Sequence, residues 1–187
     1  MKPVIVFAAV VATIGSLGLA ADKEPVAKEP AAAEKAGDEK ALADSPVKAA
    51  NVEQARRQAE ILHGAMHATL QIVHHRLYEE DEGLPLPAFV LKEVFEDVER
   101  QEHVKLRWLV VEGQAMNTDH EAETPFEHEA VRAIRDGKPF HEQTADGLYR
   151  RAAPVLLTAH CLKCHVPNRM TNATQKAGLV ITIPVKQ

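Results

Sequence analysis

The sequence predicts an α+β domain in which long N-terminal helices pack on a small antiparallel sheet. Three patterns carry this expectation. Apolar residues recur at three- and four-residue steps through residues 51–80, a second such stripe follows Pro87, and a β-branched, alternating tail runs from Ala177 to Val185. Helices come first, and short strands then frame one cysteine motif, an order that belongs to α+β architecture.

The first helix is expected from Asn51 to Glu80, with Ala59, Leu62, Met66, Leu70, Val73 and Leu77 on one stripe and Gly83 and Pro85 ending it. A second runs from Pro87 to Gln101 on Phe89, Val90, Val94, Phe95 and Val98. Val104 to Val111 reads as a strand, and Gly113 to Thr124 as a polar loop. A third helix, Pro125 to Arg135, opens with Pro and Glu in its first turn and closes at Asp136-Gly137-Lys138-Pro139. Gly147 to Ala153 forms a short strand leading through Pro154 to the cysteines, and Ala177 to Val185 is the last strand. The competing architecture is an all-helical bundle of the cytochrome c-prime type. Pro167 and the strand-like tail argue against it.

The ends of this 187-residue chain divide it further. Met1 and Lys2 give a positive start, Pro3 to Leu17 is uncharged and apolar, and small residues follow, so residues 1–20 read as a secretory signal peptide. The apolar run is short for a retained span, and no stable membrane insertion is expected after cleavage. Residues 21–50 are rich in Ala, Glu, Lys and Pro and too poor in branched residues to offset their ordering entropy, so a disordered linker is expected there. Residues 51–187 are then one domain. Cleavage removes Lys2 and no acid, which lowers the 22 basic side chains by one against 27 acidic ones. That balance argues against nucleic acid and anionic lipid as partners.

Export suggests an oxidising, periplasmic or otherwise extracytoplasmic compartment, where two cysteines would ordinarily form a disulfide. Their spacing indicates something else. The only cysteines lie in Cys161-Leu162-Lys163-Cys164-His165, the attachment sequence for one covalent haem c. Two thiols add across the porphyrin vinyl groups, and the adjacent His165 is placed to ligate the iron. A thioredoxin-like dithiol would want a helix N-terminus after the pair, and Pro167 and Asn168 follow instead. A structural zinc site would need a second ligand pair that no further cysteine supplies.

On the first helix, His63, His67 and His74 fall within an arc of about 40° beside the apolar stripe, whereas His75 points away. Each could be a boundary residue without a metal, or the second axial ligand. Met66 and Met116 stay open as ligands, while Met170 lies too close to His165 to cross the ring, and His160 does not easily reach the opposite face. Tyr149 and Arg150, with Arg151, could hydrogen-bond or pair with the haem propionates.

Two segments carry a resemblance. Leu148-Tyr149-Arg150-Arg151-Ala152-Ala153-Pro154-Val155 leads into the cysteine motif, and Gly178-Leu179-Val180-Ile181-Thr182-Ile183-Pro184-Val185 closes the chain. With Phe126-Glu127-His128-Glu129-Ala130-Val131 upstream, the chain resembles the Tll-type haem-binding family of exported single-haem c-type domains. Asn117 resembles the family's Asn-Pro loop, with Met116 and Thr118 where Arg and Pro are usual. The resemblance implies a PAS-like fold with haem attached near the C-terminus. It also implies a second axial ligand from the long N-terminal helix, which in the family can be a cysteine. This chain has no third cysteine, and His74 falls nearest that position, with His67 and His63 as alternatives.

Two protein ligands leave the iron no vacant position, which favours single-electron transfer or redox sensing with a separate redox partner over catalysis at the metal. A displaceable distal histidine would instead make a gas or small-ligand sensor. A peroxidase would need an open distal side and an acid-base residue, for which no further motif is present.

Overall fold

A computed structural model of the chain describes residues 37–49, 51–78, 82–113, 115, 117–165 and 170–186, the side chain of Cys164 excepted. The expected signal peptide, residues 1–20, lies outside the described residues. The elements in order are a short helical segment α1 (37–43), α2 (Val52–Arg76), α3 (Pro87–Glu102), β1 (Lys105–Leu109), a 3-10 turn (Thr118–His120), α4 (Pro125–Arg135), β2 (His141–Ala145), β3 (Leu148–Leu157), α5 (Leu162–His165) and β4 (Gln175–Pro184).

Each long helix starts on residues that satisfy or remove its orphan amides. Asn51 accepts from the Gln54 amide at 2.8 Å at the head of α2. Pro87 occupies the first turn of α3. Thr124 and Glu127 exchange hydrogen bonds in a capping box on α4. Helix α2 ends on His74, His75 and Arg76, whose basic character suits the negative end of the helix dipole.

The four strands form one antiparallel sheet in the order β1-β4-β3-β2, with the ten-residue β3 and β4 at its centre. Asp146 and Gly147 both adopt positive φ, 54° and 74°, and turn β2 tightly into β3. Strand β2 is an addition to the sequence reading: His141-Glu142-Gln143-Thr144-Ala145 is a polar edge strand with no apolar alternation to reveal it. The α+β expectation holds, and the four strands overturn the all-helical bundle.

Helices cover both faces of the sheet. Helices α2 and α3 cover one face, where Leu106, Trp108, Tyr149, Val155, Leu179, Ile181 and Ile183 pack with Ala55, Ala59, Leu91 and Phe95. The fully buried Ala55 and Ala59 let the start of α2 lie close to the strands. On the other face α4 packs Phe126, Ala130, Val131 and Ile134 against Leu109, Ala152 and Val180.

The linker expected over residues 21–50 is corrected in its described part. Ala49 makes a parallel bridge with Val185, Leu42 and Ser45 are buried, and Glu39 and Asp38 reach Arg150 and Lys105 on the sheet at 2.8 and 3.3 Å. The segment averages too polar to predict a core, yet a few apolar contacts and two ion pairs suffice to lay it across a preformed sheet.

Candidate functional site

The cysteine motif sits just beyond the end of β3. After Leu157 the chain turns through Thr158, Ala159 and His160. It then closes one helical turn, with the Leu162 amide donating to the Thr158 carbonyl and the His165 amide to the Cys161 carbonyl, both at 3.1 Å. Leu162 is fully buried and Cys161 nearly so, packed with Leu157 and Ala177, so the turn is pinned by an apolar plug. The thiol of Cys161 lies 3.6 Å from the Thr158 hydroxyl. His165 follows one turn after Cys161, and burial lowers its pKa, which keeps the imidazole neutral with a lone pair available to a metal.

Helix α2 runs alongside β3 toward this turn. The Nε2–H of His63 donates to the Pro154 carbonyl at 3.1 Å, Gln71 donates to the Leu156 carbonyl at 2.8 Å, and His74 stands edge-on to His160 with ring centroids 4.9 Å apart. The last turn of α2 is thus delivered to the residue preceding Cys161.

Of the three candidate histidines, His74 is the one that ring contact brings to the motif. His63 lies eleven residues earlier, about 16 Å back along the helix. His67 lies 5.8 Å from His63, and its buried Nε2 makes no hydrogen bond among the described residues. Burial is the first cause that lowers the pKa of both, followed for His63 by its neighbour His67. The Nε2 of His160 is likewise buried without a hydrogen-bond partner among the described residues.

Tyr149 and Arg150 are not brought to the motif. They lie at the opposite end of β3, and seven strand steps from Arg150 to Leu157 span about 23 Å. The phenol of Tyr149 donates to Glu142 at 2.6 Å, and Arg150 forms an ion pair with Glu39 at 2.8 Å. Glu142 also accepts from Arg56 at 2.9 Å and from Arg151 at 3.2 Å, and these hydrogen bonds and charges hold its carboxyl below the usual range. Tyr149 therefore serves a polar cluster that ties β2 to α2, and Arg150, on the other face of the strand, holds α1 to the sheet.

An apolar cavity of about 280 Å³ opens between the end of α2 and the start of α3, lined by Val73, Leu77, Tyr78, Pro87, Val90 and Leu91 among others. The Tyr78 ring packs on His74 with centroids 5.2 Å apart. A larger cavity of about 460 Å³ lies at the far end of α2, beside Ala49, Gln58 and Leu62, remote from the cysteine motif.

His120 was not among the residues singled out from the sequence. Its 3-10 turn is clamped by Arg107, which donates to the Asp119 and Glu121 carbonyls at 2.6 Å each. Burial is the first cause lowering the His120 pKa, the Arg107 charge follows, and His165 is among the neighbours that add to the lowering. A lone loop histidine carries no periodic signal, so only the folded chain brings it into range. Among the described residues, no group of three or more His, Cys, Asp or Glu side chains is placed to hold a metal ion unaided.

Comparisons with known proteins bear on the family and the fold. The model of the Tll0287-like family, Tll0287, matches residues 48–180. The fold is similar to that in the crystal structure of the cyanobacterial heme-protein Tll0287, with a TM-score of 0.56 at 15% identity, over 74% of this chain and 99% of that one. No curated protein matches this chain. At that identity the structural likeness speaks for the fold alone, and the family match rests on the sequence itself. Since that match spans well over half of the chain, the chain belongs to the Tll0287-like family.

Proposed function

We propose that this chain is an exported mono-haem c-type protein of PAS-like fold that works in single-electron transfer or redox sensing. The observation that carries the reading is the edge contact between His74 and His160, which sets a second imidazole beside the motif that ends in His165. When bound, the haem supplies a one-electron iron couple.

The chain's own residues fit that group. Cys161 and Cys164 supply two thiols for thioether attachment, and the plug of Leu157, Cys161 and Leu162 fixes where the group is held. His165 is kept neutral by burial, as a proximal ligand must be. His74 is offered from the opposite element as the distal ligand, with His67 and His63 as alternatives further back on the same face. Two imidazoles acting together leave no site for catalysis, so we read the chain as a carrier or sensor rather than an enzyme.

Residues 1–20 support export to the periplasm or its equivalent, and among the described residues no helix is long and apolar enough to cross a membrane. The separate partner that such a reading requires is a redox protein, not nucleic acid or lipid.

A second reading, a sensor of a diatomic gas or small ligand that displaces His74, draws support from the apolar cavity behind Tyr78, whose ring packs on His74, because an apolar space of that size suits a small apolar molecule. One experiment separates them. Matured protein should carry the added mass of one haem and a six-coordinate, low-spin spectrum in both oxidation states, unchanged by carbon monoxide. His74→Ala should lose the low-spin character. A colourless protein of bare polypeptide mass would end both readings, and a carbon monoxide-shifted band in the wild type would favour the sensor.

A further inference from the structure

The tip formed by the end of α2 and the start of α3 carries an exposed apolar surface that the core does not cover. Phe89 is 65% exposed, Leu77 66%, Leu84 44%, Val90 43% and Val94 38%, which gathers much of the exposed large apolar surface of the described residues at one place. Such gathering marks a contact surface more often than scattered exposed side chains do. On α3, Phe89, Glu93 and Glu96 fall on one outward stripe at four- and three-residue steps, with Val90 and Val94 on the stripe beside it.

The charges around this apolar patch select its occupant. Lys92 lies 3.9 Å from Asp119 and Arg100 pairs with Asp97, so the basic residues of α3 are engaged. Glu93 and Glu96 are exposed and form no ion pair among the described residues, and Glu82 is exposed at the head of the tip. An acidic rim repels a second copy of the same face and an anionic lipid surface, and it attracts a basic protein. The patch also adjoins the proposed haem end: Val90 lines the cavity shared with Tyr78, whose ring packs on His74.

We propose that the outer face of this tip, centred on Phe89, Val94, Glu93 and Glu96, is the docking surface for a basic redox protein. The inference rests on the reading of the chain as a one-electron carrier. In the exchange the chain gives up one electron and the partner gains one, with no bond made or broken.

The test uses the reduced, haem-loaded full chain in stopped-flow mixing with ferric mitochondrial cytochrome c, a strongly basic protein, and separately with ferricyanide. The wild-type rate with the cytochrome should fall steeply as salt is added. Glu93→Lys with Glu96→Lys should lower it by about 10-fold at low salt, the lower end of what steering contributes. Phe89→Ser should raise the dissociation rate of the pair while leaving its ferricyanide reaction, haem spectrum and melting temperature unchanged. A salt-independent rate, or charge-reversed and Phe89→Ser variants that match the wild type, would overturn the proposal. So would a dimer in sedimentation that Phe89→Ser dissolves, since the occupant would then be a second copy. A wild type inert toward both reagents would remove the carrier reading, and this surface with it.

Discussion

Replacing Tyr149 by Phe tests whether this residue serves the fold or the haem. Tyr149 is 1% exposed, and its hydroxyl donates to the Glu142 carboxylate at 2.6 Å. A hydrogen bond to a charged acceptor contributes about 1.5–3 kcal/mol. Glu142 keeps its bonds from Arg56 and Arg151, so the carboxylate is not orphaned and the lower half of that range, about 1.5–2 kcal/mol, is expected. The ring is retained, so no cavity adds to the loss. In urea unfolding, with m of about 1.5 kcal/mol/M, the midpoint should drop by about 1 M at constant m. The phenol is pushed up to about 12, first by burial and then by the bond to Glu142. Because its folded pKa lies above the unfolded value of about 10, its stabilisation is complete below about pH 10 and fades as pH rises toward 12. The gap between wild type and variant should narrow over that window. The reasoning fails if Tyr149→Phe leaves the midpoint in place while altering the haem absorption bands, because the phenol would then belong to the haem environment.

Gly178→Ala should destabilise by about 1–2 kcal/mol in the same assay, because an added Cβ would lie 3.3 Å from the Leu109 Cβ and 3.4 Å from a Val111 methyl in a closed core. An unchanged midpoint would mean that α4 and β1 give way more easily than their packing implies. His63 has a pKa lowered chiefly by burial, so the folded state holds it neutral where the unfolded chain, at about 6.5, takes up a proton. Its contribution is present above about pH 6.5 and is lost as pH falls through the depressed value, so wild-type stability should decline on acidification below that point. His63→Gln should decline less, and equal slopes in pH-dependent urea unfolding would contradict this.

The parts of the fold that were legible in the sequence are those whose side chains repeat with a period. Helix α4 was bounded residue for residue because Pro125, Glu127 and Gly137 punctuate it with local chemistry. Strand β2 was missed because an edge strand of polar residues carries no alternation, although Asp146-Gly147 was a hairpin signal in plain view. The position of the cysteine motif, in a short turn beyond a strand rather than inside a long final helix, was legible from Pro154 and Pro167 on either side of it. Placing Arg150 and Tyr149 near it was an error of distance: proximity in sequence to the motif does not survive a ten-residue extended strand. His120 could not be read at all, since its loop takes its position from long-range contacts such as the clamp from Arg107 and the bond from the Val110 amide to the His120 carbonyl.

The pairing of α2 with β3 makes a last prediction possible, because it treats the helix as a ruler. Contacts of His63 with Pro154, Gln71 with Leu156 and His74 with His160 occur in order, so the azimuth of His74 is set by the unbroken turns before it. An alanine inserted between Gln71 and Ile72 would leave the first two contacts in place and turn everything beyond by about 100°, advancing it about 1.5 Å. Val73 would take the place of His74, and His74 that of the exposed His75: an apolar side chain would face the motif and the imidazole would swing toward the solvent side of the helix. On the proposed reading, attachment through Cys161 and Cys164 would depend on β3 and α5, so the haem should stay bound and the mass should show it. Low-spin absorption should nevertheless be lost, as in His74→Ala. If the inserted chain keeps a low-spin spectrum, the distal ligand does not ride on the end of α2, and a residue on another element, with His120 the first to examine, must supply it.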